Sequence, residues 1–175
     1  MELLQNIRRK AHFYFLKKEM KFHHVSRKVV NLYDAREIGI LFDASDTDKT
    51  ATVNIFAEAL RKERKRTTML GYYNFPKPAI NFNFPYFNKR SINWHYEPQG
   101  SLVEEFISRK FDILVNAYID ENLPLEYVSA MSQATFRIGH YDQSKTYAYD
   151  FMVDLKGTKD LRMLTEQFRY YLEMV

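Results

Sequence analysis

Apolar and polar positions along the chain follow two periods in turn. Ile38-Gly39-Ile40-Leu41-Phe42-Asp43 is a short, almost continuous apolar run, and Val53, Phe56, Ala57 and Leu60 then recur at i, i+3, i+4 and i+7 within Thr50 to Arg64. The first pattern predicts a buried strand and the second an amphipathic helix. The pairing repeats twice, as Phe111-Asp112-Ile113-Leu114-Val115-Asn116 before Leu125 to Met131, and as Phe151-Met152-Val153-Asp154-Leu155 before Leu161 to Met174. Strands alternating with helices predict an α/β fold: a single three-layer Rossmann-like domain with a mostly parallel sheet of about 5–6 strands. Further strands are expected at residues 68–73, at Ser91-Ile92-Asn93-Trp94-His95-Tyr96, which alternates like a half-exposed strand, and at 135–139. Ligands of such sheets sit outside the carboxyl ends of the strands.

Residues 3–22 read as a helix with two apolar stripes. Leu3, Leu4, Ile7, Ala11, Tyr14, Phe15 and Phe22 share one face, and Phe13, Leu16 and Met20 form a narrower stripe nearly opposite. A helix apolar on two sides buries both or leaves one for a partner. The expected arrangement packs it on its own sheet, with Phe13 and Met20 covered by the following segment. The domain division that follows is 1–33 for the basic N-terminal amphipathic helix and its connector, and 34–175 for the α/β domain.

Charge sharpens this division. Residues 1–30 hold eight Lys/Arg against two Glu, net +6, which leaves −2 for the remainder of a chain whose net charge is +4. Arg8, Arg9, Lys10, Lys17 and Lys18 lie on the first helix, and a second basic run, Arg61 to Arg66, contributes Arg61, Arg64, Lys65 and Arg66. Such asymmetry points to an anionic partner, whether an acidic protein, RNA or an anionic membrane surface. A homodimer through the first helix is a third reading. Residues 74–90 (NFPKPAINFNFPYFNKR) carry three prolines, which forbid a regular helix or central strand, and enough aromatics to pack the loop down. Trp94, with His95, Tyr96 and the aromatic loop, could stack on bases or sugars, or form an aromatic-rich core edge.

Composition removes several chemistries. The chain has no cysteine, so disulfides, thiolate zinc sites and cysteine nucleophiles are excluded, and a reducing, cytoplasmic setting is expected. No transmembrane run and no signal peptide are visible. The Gly-rich nucleotide loops, the G-x-S-x-G elbow and the H-E-x-x-H zinc motif are all missing, and neither a cofactor nor a metal is expected. The expected strand ends still carry polar groups: Asp43 and Asp46 after the first strand, Glu97 after the third, Asp120 after the fourth and His140 after the fifth. Gathered at one edge, these would make an acidic crevice able to run acid–base chemistry, although Asp43 and Asp46 are also placed to cap a helix.

Two resemblances rest on particular residues. The basic aromatic start RRKAHFYFLKK at 8–18, the LFDAS turn at 41–45 and the F-P-x-P-x-I-N-F loop at 75–82 resemble a family of short uncharacterised proteins from Bacteroidetes, a domain of unknown function. That resemblance covers essentially the whole chain and implies no activity. Residues 111–157 are similar in pattern to part of the amino-terminal half of heptosyltransferase-type glycosyltransferases, which implies no catalytic residue here. Two readings of function follow. The first is a non-enzymatic binding module that engages an anionic partner through its basic N-terminal helix. The second is a small ligand-binding protein or enzyme, of phosphorylated-metabolite or nucleotide-sugar type, that uses the strand-end crevice.

Overall fold

A computed structural model describes all 175 residues. The chain runs α1 (Glu2–Met20), β1 (Glu37–Asp43), α2 (Thr47–Lys62), β2 (Arg66–Tyr73), β3 (Tyr86–Asn88), α3 (Ser101–Ser108), β4 (Ile113–Ala117), α4 (Leu123–Met131), β5 (Phe136–His140), β6 (Phe151–Val153) and α5 (Leu161–Met174). The six strands form one sheet in the order β3-β2-β1-β4-β5-β6, and every pairing is parallel. This is the α/β, Rossmann-like architecture that the alternation of periods predicts.

The strand pleat sorts the core into two halves. Ile38, Ile40 and Phe42 of β1, Ile113 and Val115 of β4, and Phe136 and Ile138 of β5 point to one face, where Phe56 and Leu60 of α2 and Leu164 and Phe168 of α5 cover them. Leu41, Leu70 and Leu114 point to the other face, beneath Val103 and Phe106 of α3 and Leu125 and Val128 of α4. The sheet grows one way from β1 with its helix on the first face, and the other way with its helices on the second. Right-handed crossovers require that arrangement.

Gly39 and Gly139 lie where helix-side aromatics press on the sheet. A Cβ at Gly139 would sit 2.6 Å from the Tyr149 ring, and one at Gly39 would sit 2.8 Å from Phe111. No side chain fits either position, because interiors this dense have no slack.

Two expectations are corrected. Residues 91–96 are not a strand. They form a short 3-10 turn ending at Ser91 and a loop closed by the Ile92–Pro98 bridge, held by Asn93 accepting from the His95 and Glu97 amides. The third strand lies instead inside the proline-rich stretch, as the three-residue β3 directly after Pro85. It is an edge strand, where a proline is tolerated, and Pro85 stands just before it. The second correction concerns α1, which does not pack on the sheet. It lies outside α4 as an added layer, with Leu16 against Tyr127 and Ala130, and Met20 beside Met131. The narrow stripe is the covered one, with Leu16 buried and Phe13 and Met20 half-buried, whereas the wide one is divided: Leu3, Leu4, Ile7, Tyr14 and Phe22 are exposed, and Ala11 and Phe15 are half-buried, Phe15 stacked on His95.

The segment after α1 crosses under the sheet. Arg27 donates to the Ser132 and Ala134 carbonyls, the Lys28 amide to Thr135, and the Leu32 amide to Leu172 of α5. Leu32 and Ala35 complete the first core half. The approach of Arg27 to Arg137 and its burial lower the Arg27 pKa to about 10, with burial the larger cause. No helix is long and apolar enough to cross a membrane.

Candidate functional site

The strand order reverses between β1 and β4, which stay paired as far as Phe42 and Ala117, so the connections that leave them run to opposite sides and a crevice opens beyond their carboxyl ends. A cavity of about 570 Å³ occupies it. Its floor is Asp43 and the 117–120 segment, and its walls are the first turns of α2 (Asp48, Lys49, Thr52) and α5 (Asp160, Leu161, Arg162), with Lys159. Both helices therefore start at the cavity. Asp46 caps α2 by accepting from the Asp48 and Lys49 amides, and Asp160 caps α5 by accepting from Met163. These capping carboxylates take up amides of both helix starts, and the partial positive charge of a helix start favours an anion.

Asp120 is gripped from both sides. Lys159 Nζ donates to it at 2.5 Å and Lys49 Nζ lies 3.7 Å away. The Lys159 hydrogen bond holds the Asp120 carboxyl below the usual carboxylate range. Asp43 accepts from the Ser45 amide and turns the chain out of β1. The cavity thus offers three cations and four carboxylates, a lining able to hold a ligand with both an anionic group and hydroxyls.

Among the five carboxylates and imidazoles read from the sequence, Asp43 and Asp120 share this cavity. Asp46 is spent on its cap, and its carboxyl is held low by the Lys49 and Asp48 amides. His140 ends β5 outside the lining, its pKa lowered by burial first and then by Lys145. Glu97 lies elsewhere, under α1. There Tyr127 donates to Glu19 at 2.6 Å and approaches Glu97 at 3.3 Å, Asn93 Nδ2 donates to Glu97, and His95 stacks on Phe15.

His12 completes this second cluster. Its Nδ1 lies 3.0 Å from the His95 carbonyl, which can only accept, so Nδ1 carries the proton. Its Nε2 is buried without a partner. Desolvation lowers the His12 pKa, so the folded state prefers it neutral. The unfolded chain takes up a proton first. Stability is therefore full above the ordinary histidine value of 6.5 and falls as the pH drops below it. The expected result is a melting temperature that declines between about pH 7 and pH 5, with a shallower decline in His12→Phe. An identical decline in both proteins would remove His12 as a cause.

The basic residues read from the sequence are placed differently from one another. Arg8 donates to the Trp94 carbonyl and lies over the Tyr96 ring, and Arg9 pairs with Glu121. Lys10, Lys17 and Lys18 are exposed. The 61–66 run sits at the far end of α2, at the opposite edge of the sheet from the cavity. Arg61 pairs with Glu58, Lys65 donates to the Tyr33 and Ala35 carbonyls, Arg66 pairs with Glu37, and Arg64 adopts a positive φ of 63°. Trp94 is exposed, on a loop rather than a strand.

One polar network escaped the sequence reading. Glu126 of α4, 1% exposed, lies 3.0 Å from Lys145 Nζ, which is 4% exposed. Glu126 also accepts from Tyr147 and from the Asn122 amide at the α4 start. Tyr149 donates to Tyr118. Burial, reinforced by Glu126, pushes the hydroxyls of Tyr147 and Tyr149 well above the ordinary tyrosine range. The one sequence signal was the Asn122-to-Glu126 spacing of a helix start. Lys145 gave none, since its partner is distant in the chain. Across the molecule, no three His, Asp or Glu side chains are placed to hold a metal ion.

Residues 8–175 match a family of unknown function (DUF6913), so the chain belongs to that family. No curated protein and no solved structure matches the chain.

Proposed function

We propose that this member of the family binds a phosphorylated, hydroxyl-bearing small molecule in the crevice between β1 and β4. The observation that supports this reading is the position of the cavity, at the reversal of strand order and at the starts of two helices. Lys49, Lys159 and Arg162 would meet the anionic group, displacing Asp120 as the partner of the lysines. Asp43 would accept from a hydroxyl. The cysteine-free sequence fits a cytoplasmic home.

The test is a thermal-shift series with sugar phosphates, nucleotide sugars and their unphosphorylated counterparts. A ligand at ~100 times its Kd adds about 2.7 kcal/mol, or a rise of roughly 5–10 °C for a domain of this size. Lys159→Gln combined with Asp43→Asn is expected to remove the rise with the unliganded melting temperature unchanged. A series in which no phosphorylated compound shifts the transition would end this reading.

A second reading, the binding module that works through the basic first helix, is favoured by Lys10, Lys17 and Lys18, which stay exposed on α1. Arg8 and Arg9 would contribute less, because each already has a partner within the chain. Binding through phosphates would be steeply salt-dependent.

A further inference from the structure

The outward face of α1 has a composition that selects one kind of surface. Its inner side is occupied by Leu16 in a cluster with Tyr127 and Ala130, by Glu19 accepting from Tyr127 and by His12 Nδ1 on the His95 carbonyl. What remains outward is Leu3, Leu4, Ile7 and Tyr14 toward its start, 49–73% exposed, then Lys17, Lys18 and Lys21, followed by Phe22 at 81%. Lys10 lies within the first group, between Ile7 and Tyr14. Glu19, the carboxylate near the basic end, is turned inward onto Tyr127, so the lysines have no neighbouring acid on this helix. Trp94, 57% exposed, stands beside α1 because its carbonyl accepts from Arg8, one turn beyond Leu4.

We infer that this face lies on an anionic lipid surface. An apolar and aromatic group next to uncompensated lysines, on the outside of the fold, offers a lipid surface apolar contact and opposite charge together. The 19-residue helix presents about 28 Å of length, with the 94–96 loop alongside it at Arg8 and His12. RNA would use the lysines but gains nothing from Leu3, Leu4 and Ile7, which can neither stack nor read a base. The inference rests on the second reading above and names its partner.

The experiment uses the full chain and its own reporter, because Trp94 is the only tryptophan. Its emission is titrated with vesicles of phosphatidylcholine alone, with vesicles containing about one-third phosphatidylglycerol, and with poly(U) RNA. The expected result is a saturable blue shift and co-sedimentation with the anionic vesicles only, reversed by about 0.5 M salt. Lys10→Gln, Lys17→Gln, Lys18→Gln and Lys21→Gln together should weaken the vesicle binding by at least ~100-fold. Leu4→Asp with Ile7→Asp should abolish it. All these side chains are exposed, so the variants keep the fold, which an unchanged melting temperature confirms. Unchanged emission with anionic vesicles overturns the lipid assignment. If poly(U) binds and vesicles do not, the lipid assignment fails while the basic-helix reading stands with RNA; if neither binds, the lipid assignment fails and the basic-helix reading keeps only an acidic protein as its partner. A dimer in sedimentation velocity that Leu4→Asp dissolves would also overturn it, by assigning the face to a second copy of the chain.

Discussion

Glu126→Ala is expected to lower the stability of the fold by about 3–5 kcal/mol, which for a domain of this size drops the melting temperature by roughly 10 °C or more. Glu126 and Lys145 are almost fully enclosed and lie 3.0 Å apart. Truncating the acid leaves a buried ammonium whose remaining anionic neighbour, Asp142, is 3.7 Å away and half outside. It also strips Tyr147 of its acceptor and the Asn122 amide of its cap. The cost is mainly that of the groups left unpaired, because a buried pair repays its own desolvation only in part. Glu126→Leu, Lys145→Met and Tyr147→Phe together should therefore restore most of the loss. Thermal melts of the single and triple variants decide the matter. A Glu126→Ala protein within about 2 °C of the parent would mean that water reaches Lys145 and that the network is not sealed.

Asp150→Ala is expected to be the second most damaging change. Asp150 accepts from the Arg137 amide, from Nε at 3.0 Å and from Nη2 at 2.8 Å, a two-pronged grip on a guanidinium that is 5% exposed. Arg137 Nη1 keeps the Ser129 and Tyr147 carbonyls, so the loss is expected at the lower end of the buried-pair range, ~3 kcal/mol. Arg137 stands on the same face of β5 as Gly139, under the 147–149 segment, and Asp150 is the residue that leads into β6. Without it the β5–β6 edge should open first, seen as faster amide exchange at Phe151–Val153 than in β1 and β4. Uniform exchange across the sheet would show that the pair is not what holds β6.

Helix and strand positions were largely legible because burial is written locally. Leu161–Met174 lies where its i, i+3, i+4, i+7 pattern places it, and the parallel sheet follows from strands apolar on both faces. Residues 91–96 alternated as a strand does but lacked a neighbour to pair with, and Asn93 satisfied their amides locally instead. β3 was hidden because proline suppresses strand expectation everywhere except at an edge, and only the assembled sheet says where the edge is.

The candidate site divides in the same way. Asp43 and Asp120 were findable from strand ends alone, whereas Glu97 and His140 are strand-end residues by sequence and lie outside the cavity. Lys49, Lys159 and Arg162 reach the cavity only because α2 and α5 start beside one another, a fact of tertiary packing. The chain by itself determined the helices, the strands β1, β2, β4, β5 and β6 and the two stripes of α1, since each depends on the spacing of side chains along one helix or strand; it did not determine β3 or the loop at 91–96. Tertiary structure alone decided which stripe of α1 is covered, which charges are already paired within the fold, and that Glu126 meets Lys145 across 19 residues of chain. Those outcomes depend on which surfaces meet, and pairing energies between distant groups leave no periodic trace in a sequence.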